Sequence, residues 1–127
     1  MREVRVLIVD DSSVMRKIVE RALRQAGLES LVVHEAGSGT DGLEVLRSRK
    51  VDLILTDINM PSMDGLEFVR QIRAQGLAAG TPIVMITTES SEEHVKQAIL
   101  AGARGYIRKP FTPEQVRERV LPVLNAI

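Results

Sequence analysis

Two adjacent acids, Asp10 and Asp11, close the apolar run VRVLIV, and a third, Asp57, closes a second run, VDLILT. A hydroxyl, Thr87, ends the run PIVMIT, and an amine, Lys109, follows GYIR. Carboxylates held close together repel, so one of them takes up a proton unless a cation sits between them. Magnesium suits such a set, because it prefers oxygen ligands, keeps several waters and is held by one or two carboxylates plus a phosphate. With Asp57 as nucleophile, phosphoryl transfer needs an in-line approach and neutralisation of the equatorial oxygens more than it needs a general base. A cation at Asp10 and Asp11 supplies part of that charge and the Lys109 ammonium the rest, while the Thr87 hydroxyl can donate to a phosphoryl oxygen. Each residue alone has a plain reading: Asp57 as a loop acid, Lys109 as a surface lysine, Thr87 as a strand-end cap. Four complementary roles at equivalent strand ends are harder to produce by accident.

For the strand ends to share one rim, the strands must run parallel, and the pattern of the chain asks for that. Five apolar runs alternate with five stretches of helical period, which predicts an α/β domain with a parallel sheet and right-handed crossovers. The strands are expected from Val4 to Val9, Leu31 to Glu35, Leu53 to Thr56, Ile83 to Ile86 and Tyr106 to Arg108. In the first helix Met15, Ile18, Val19, Ala22, Leu23 and Ala26 recur at helical spacing, with Gly27 as the stop. Arg16, Lys17, Glu20, Arg21 and Arg24 fall on its other face, which reads as solvation rather than docking. The second helix is expected from Thr40 to Ser48 and the third from Gly65 to Gln75, with Leu66, Val69 and Ile72 inward. Ser90 and Glu93 have capping-box spacing at the start of the fourth helix, which carries Val95, Ala98 and Ile99. Thr112, Pro113 and Gln115 supply cap, first-turn proline and box for the fifth. Pro122 lies inside the run QVRERVLPVLNAI, so that helix is expected to kink or end near Leu121, leaving Val123, Leu124 and Ile127 for a separate apolar contact or a partner, or else as a frayed terminus. Gly76 to Pro82 reads as a loop, and Gly65 as the turn that starts the third helix.

The 127 residues are the size of one domain, and 44% hydrophobic content is enough for a core beneath a surface supplied by 27% charged residues. The absence of cysteine excludes disulfides and thiolate metal sites. No secretory h-region and no run of membrane-spanning length is present, so a cytoplasmic location without membrane insertion is expected. Basic and acidic residues balance at 17 each, which gives no overall pull toward nucleic acid or anionic lipid. His34 and His94 read as surface or satisfied histidines rather than phosphocarriers.

The stretches VLIVDDSSVMR, LTDINMPSMDGLE, VMITTES and AGARGYIRKPFTPE together resemble the receiver domains of two-component response regulators, and among these most closely the single-domain chemotaxis regulators of the CheY type. The similarity covers essentially the whole chain, residues 1–127. It implies a flavodoxin-like, doubly wound (βα)5 fold with strand order 2-1-3-4-5 and its site at the switch point between the first and third strands. It further implies Asp57 as phosphoacceptor, magnesium bound by Asp11, Asp57 and the backbone carbonyl of Asn59, Asp10 acting largely through water, and Lys109 on the phosphoryl group. Thr87 and Tyr106 would form the switch to a target surface on the fourth helix, fifth strand and fifth helix, Asn59 and Glu89 would tune the phosphoryl lifetime, and the Lys109-Pro110 bond would be cis. Thr88 stands where the family usually has a small residue, narrowing access to Asp57, and Ile58 where the best-known chemotaxis regulator has tryptophan.

The implied function is regulatory rather than that of a turnover enzyme: a histidine kinase donates the phosphoryl group, the domain assists its own phosphorylation and dephosphorylation, and a downstream protein reads the result. The receiver portion of a larger regulator with transcriptional or enzymatic output is the alternative. A phosphatase of the haloacid-dehalogenase type fits less well, because its acids are spaced Asp-x-Asp whereas Asp10 and Asp11 are adjacent. A flavodoxin-like electron carrier shares the fold but usually needs aromatics around its flavin, and only 2% of this chain is aromatic.

Overall fold

A computed structural model describes residues 3–88 and 92–125. In chain order the elements are β1 (Val4–Val9), α1 (Ser13–Gln25), β2 (Leu31–Ala36), α2 (Gly39–Ser48), β3 (Leu53–Asp57), α3 (Gly65–Ala74), β4 (Ile83–Thr87), α4 (Glu92–Ala101), β5 (Gly105–Arg108) and α5 (Pro113–Asn125). All strand pairs are parallel and the sheet order is β2-β1-β3-β4-β5. The doubly wound order implied by the sequence resemblance is therefore the one observed. β3 and β4 are buried at every position, as expected for strands covered by helices on both faces.

Alternation along the strands divides the core into two layers. Leu7, Val9, Ile54, Ile83 and Met85 pack with Leu43, Phe68, Val69 and Ile72 of α2 and α3, and with Ala98 of α4. Val6, Ile8, Leu53, Leu55, Val84 and Ile86 pack with Val19 and Leu23 of α1 and with Val116, Val120 and Leu124 of α5. Helix starts follow their caps: the side chains of Ser12, Ser38 and Asp64 accept from the N–H groups of Met15, Asp41 and Glu67. At α5 the box is complete, with Gln115 N–H donating to Thr112 Oγ1 at 3.2 Å and Thr112 N–H donating to Gln115 Oε1 at 2.9 Å. Ser90 of the expected fourth-helix box lies outside the described residues.

Three expectations are corrected. Helix α5 neither ends at Leu121 nor sends its last residues elsewhere: it continues to Asn125, with Pro122 inside it. Leu124 is buried in the same layer as Val116 and Val120, with Leu121 and Val123 packed beside it. Full burial of a leucine is worth about 1.5–3 kcal/mol, which with its half-buried neighbours offsets the roughly 3 kcal/mol cost of an interior proline. Ile127 lies outside the described residues. Ile18 and Ile99 are 47% and 50% exposed, so neither faces the core. In both helices the apolar stripe is narrower than its apolar residues, and Ala98 and Ala22 fill the close approach to the sheet. The basic side of α1 is also not simply solvated: Arg16 and Lys17 both donate to Glu35 on β2, each at 2.9 Å.

Candidate functional site

The rim formed by the strand carboxyl ends collects the residues singled out above. Asp57 is the last residue of β3, Thr87 the last of β4, Asp10 and Asp11 follow β1, and Lys109 follows β5. Asp57 has the same parity as Leu53 and Leu55 and so points to the α1/α5 side, while Thr87 shares parity with Met85, whose register partner on β5 is Tyr106. By this register Thr87 and Tyr106 share one face of the sheet.

Asp10, Asp11 and Asp57 each bring a carboxylate oxygen within 4.8 Å of the others. Asp10 and Asp57 are buried and Asp11 is exposed, so the cluster opens toward solvent through Asp11. Lys109 Nζ lies 3.2 Å from Asp10 Oδ2 and 3.3 Å from Asp57 Oδ2, with only 13% of its side chain exposed. The N–H of Ser12 donates to Asp10 Oδ1 at 2.9 Å, and the N–H of Asn59 approaches Asp57 Oδ1 at 3.4 Å. Burial pushes the Asp57 carboxyl above the ordinary carboxylate value; Lys109 and the Asn59 amide pull it back, and the Asp10 charge pushes it further up. A buried acid held in this way is relieved by added positive charge. The donor set is three carboxylates, all oxygen, and fits a hard divalent cation such as magnesium.

Two features hold the carboxyl end of β3 in place. The N–H of Gly65, at the start of α3, donates to the Ile58 carbonyl at 2.7 Å. A Cβ at Gly65 would stand 2.1 Å from the Asp57 carbonyl oxygen and 2.8 Å from Ile58 Cα, so this position excludes every side chain. A turn is all that the local sequence predicts at Gly65; its close approach is to Asp57 and Ile58, several residues earlier in the chain. On the opposite side Lys109 N–H donates to the Thr87 carbonyl at 2.8 Å, and the Lys109-Pro110 peptide is cis, as the resemblance implied.

Thr87 is fully buried, whereas Thr88 is exposed and lines a hollow of about 340 Å³ with Met15, Ile18, Lys109, Pro110 and Phe111. Tyr106 is half-buried, with the Arg119 guanidinium 5.6 Å from its ring centre. Glu89 lies outside the described residues, and His34 and His94 stand on β2 and α4.

Comparison with known proteins agrees with this geometry. Residues 6–121 match the family model described as the response regulator receiver domain. The chemotaxis protein CheY homolog of Campylobacter jejuni (strain 81-176) is 39% identical over 122 residues, which cover 95% of this chain and 92% of that protein. Among solved structures, the chemotaxis protein CheY4 of Vibrio cholerae superposes with a TM-score of 0.85 at 38% identity, covering 96% of this chain and 99% of that one. The signal receiver domain of the response regulator NarL from Mycobacterium tuberculosis gives 0.86 at 32% identity, with all of both chains covered. The chain belongs to the response regulator receiver domain family. It is a CheY-like regulatory domain of two-component signalling, a class that takes its phosphoryl group from a histidine kinase, acts on a downstream target and binds magnesium at an acidic pocket. Among the described residues no helix is long and apolar enough to cross a membrane.

Proposed function

We propose that residues 1–127 form one receiver domain in which Asp57 accepts a phosphoryl group from a kinase phosphohistidine and a protein-binding surface changes in response. The observation that carries this reading is the buried Asp57 carboxylate, 3.3 Å from the Lys109 ammonium and clustered with two further acids. Asp11, Asp57 and the Asn59 carbonyl would hold magnesium, with Asp10 acting largely through water. When bound, the metal neutralises charge on the phosphoryl oxygens. An Asp57 oxygen attacks phosphorus as the P–N bond to the donor imidazole breaks, and the leaving nitrogen keeps the electron pair. Lys109 holds negative charge on the transferred group, and the Thr87 hydroxyl donates to one of its oxygens. Hydrolysis returns Asp57 and inorganic phosphate, at a rate set in part by Asn59 and Glu89.

Thr87 and Tyr106 would carry the switch outward, which their common sheet face supports. A target surface on α4, β5 and α5 is supported by Leu100, 77% exposed beside Ile99, and by a cleft of about 330 Å³ lined by Tyr106, Arg108, Glu118 and Arg119. No direct contact with nucleic acid or membrane is invoked, and the protein would act in the cytoplasm. A chemotactic role is supported by the similarity to the chemotaxis proteins of Campylobacter and Vibrio. The reading as the receiver of a larger regulator is favoured by the full-length match to the NarL receiver.

Incubation with magnesium and acetyl phosphate, followed by mass spectrometry, tests the acceptor. One phosphoryl group is expected on the wild type and none on Asp57→Ala, while Asp11→Ala mainly weakens magnesium binding. Phosphate persisting on Asp57→Ala at the wild-type level would sink the assignment. Rapid turnover of many phosphate esters would indicate an enzyme, and yellow colour on purification a flavoprotein.

A further inference from the structure

The main chain of Asp10 is held on both sides, and the peptide that joins it to Asp11 is held at its carbonyl. Asp10 N–H donates to the Ala36 carbonyl of β2 at 3.1 Å, and Arg16 Nη1 donates to the Asp10 carbonyl at 2.6 Å. Arg16 is itself anchored, because its Nε donates to Glu35 Oε1 at 2.9 Å and only 17% of its side chain is exposed. One planar guanidinium therefore spans the strand end and the neighbouring strand, a two-pronged contact that a lysine ammonium does not reproduce.

We infer that Arg16 is a positioning residue for the metal-binding acids, fixing the Asp10–Asp11 peptide and with it the direction in which Asp11 presents its carboxylate. The physical reason is planarity: the Asp10 carbonyl oxygen, the Asp11 nitrogen and the Asp11 Cα share one plane, so holding the oxygen sets the path of the chain into Asp11. Asp10 has further restraints, from Ser12 N–H on one carboxylate oxygen and Lys109 on the other. Asp11 is exposed, and among the described residues no hydrogen bond or ion pair holds its carboxylate. The peptide plane is its handle. Groups that orient metal ligands from behind typically change affinity 10- to 100-fold when removed.

Lys17 supplies the control. It donates to the other oxygen of Glu35 at 2.9 Å and carries the same charge, yet 66% of its side chain is exposed and it makes no contact with Asp10. Because the inference rests on the magnesium reading of the site, two readouts are needed. Calorimetric titration with magnesium should show Arg16→Ala weakened by about tenfold and Lys17→Ala within about twofold of wild type. In metal-free protein, hydrogen exchange at the Ser12 amide should accelerate in Arg16→Ala and stay at the wild-type rate in Lys17→Ala. Equal effects of the two variants, or an unchanged Ser12 amide in folded Arg16→Ala, overturn the inference. If the wild type binds no magnesium, the metal reading falls while the exchange measurement still decides the role of Arg16. Should Arg16→Ala not fold, Glu35→Ala removes the anchor instead, and an unaltered Ser12 amide there overturns the inference equally.

Discussion

The main-chain amide of Lys109 donates to the carbonyl of Thr87 at 2.8 Å, so the residue that neutralises the acceptor and the residue proposed to sense it are joined by one hydrogen bond. Thr87→Val keeps the side-chain shape and removes only the hydroxyl. We expect it to accept a phosphoryl group on Asp57 but to leave the Tyr106 ring signals unmoved on phosphorylation, where the wild type shifts them. Nuclear magnetic resonance of the single tyrosine measures this, and a wild-type shift in Thr87→Val would remove Thr87 from the switch.

Gly65→Ala should be damaging out of proportion to one methyl group. Its Cβ would meet main-chain atoms of Asp57 and Ile58, which cannot rotate away as a side chain would. Overpacking of this kind costs about 1–3 kcal/mol, and the displaced strand end should also weaken magnesium binding. Urea denaturation and metal titration test both effects, and an alanine variant as stable as wild type would show that the α3 start can move aside.

Two acids should tilt the pH dependence of stability in opposite directions. The native Asp57 carboxyl is raised above 3.8, chiefly by burial, so the folded state holds its proton longer than the unfolded state. Stability therefore falls as pH rises through that window, and in chelator Asp57→Asn should exceed the wild type at neutral pH, the gap closing below about pH 3.8. Glu35 is lowered from 4.5, first by the Lys17 hydrogen bond and then by that of Arg16. Its contribution is present above 4.5 and is lost as pH falls through the lowered value, so Glu35→Gln should be the weaker protein at neutral pH and equal it in acid. Melting curves across pH 2.5–8 read both signs.

Pro122 is exposed within α5 and denies the Glu118 carbonyl its helical partner. Pro122→Ala should stabilise the protein by about 1–3 kcal/mol without altering the fold. Chemical denaturation checks it, and no gain would mean that the turn around Pro122 has already adapted to the ring.

The alternation of apolar runs and helical stretches was enough to place strands, helices and the rim, because each run is bounded by turn or capping residues such as Thr112 and Gln115. The acids and Lys109 were legible for the same reason: each directly follows such a run. Arg16 was not, since a basic residue beside an amphipathic stripe reads alike whether it meets water or a strand end, and its partner Glu35 lies 19 residues away. Gly65 was read as a turn because its neighbours in space, Asp57 and Ile58, belong to another element. Ile18 and Ile99 show the limit of periodicity, which gives the direction of a helix's apolar side but not its width. Pro122 misled through a local rule that the burial of Leu124 overrides.

The close seating of Gly65 against β3 makes the site mechanically lopsided. With a 2.7 Å bond from Gly65 to Ile58 and no room for even a methyl group beside the Asp57 carbonyl, the acceptor side behaves as the fixed jaw of a vice. A phosphoryl group placed in the gap cannot push that jaw back. On the proposed mechanism the space would come from the facing side, where Thr87 and Lys109 are tied by their shared hydrogen bond, so the shape of a single glycine would direct the work of accommodating the group toward β4 and β5.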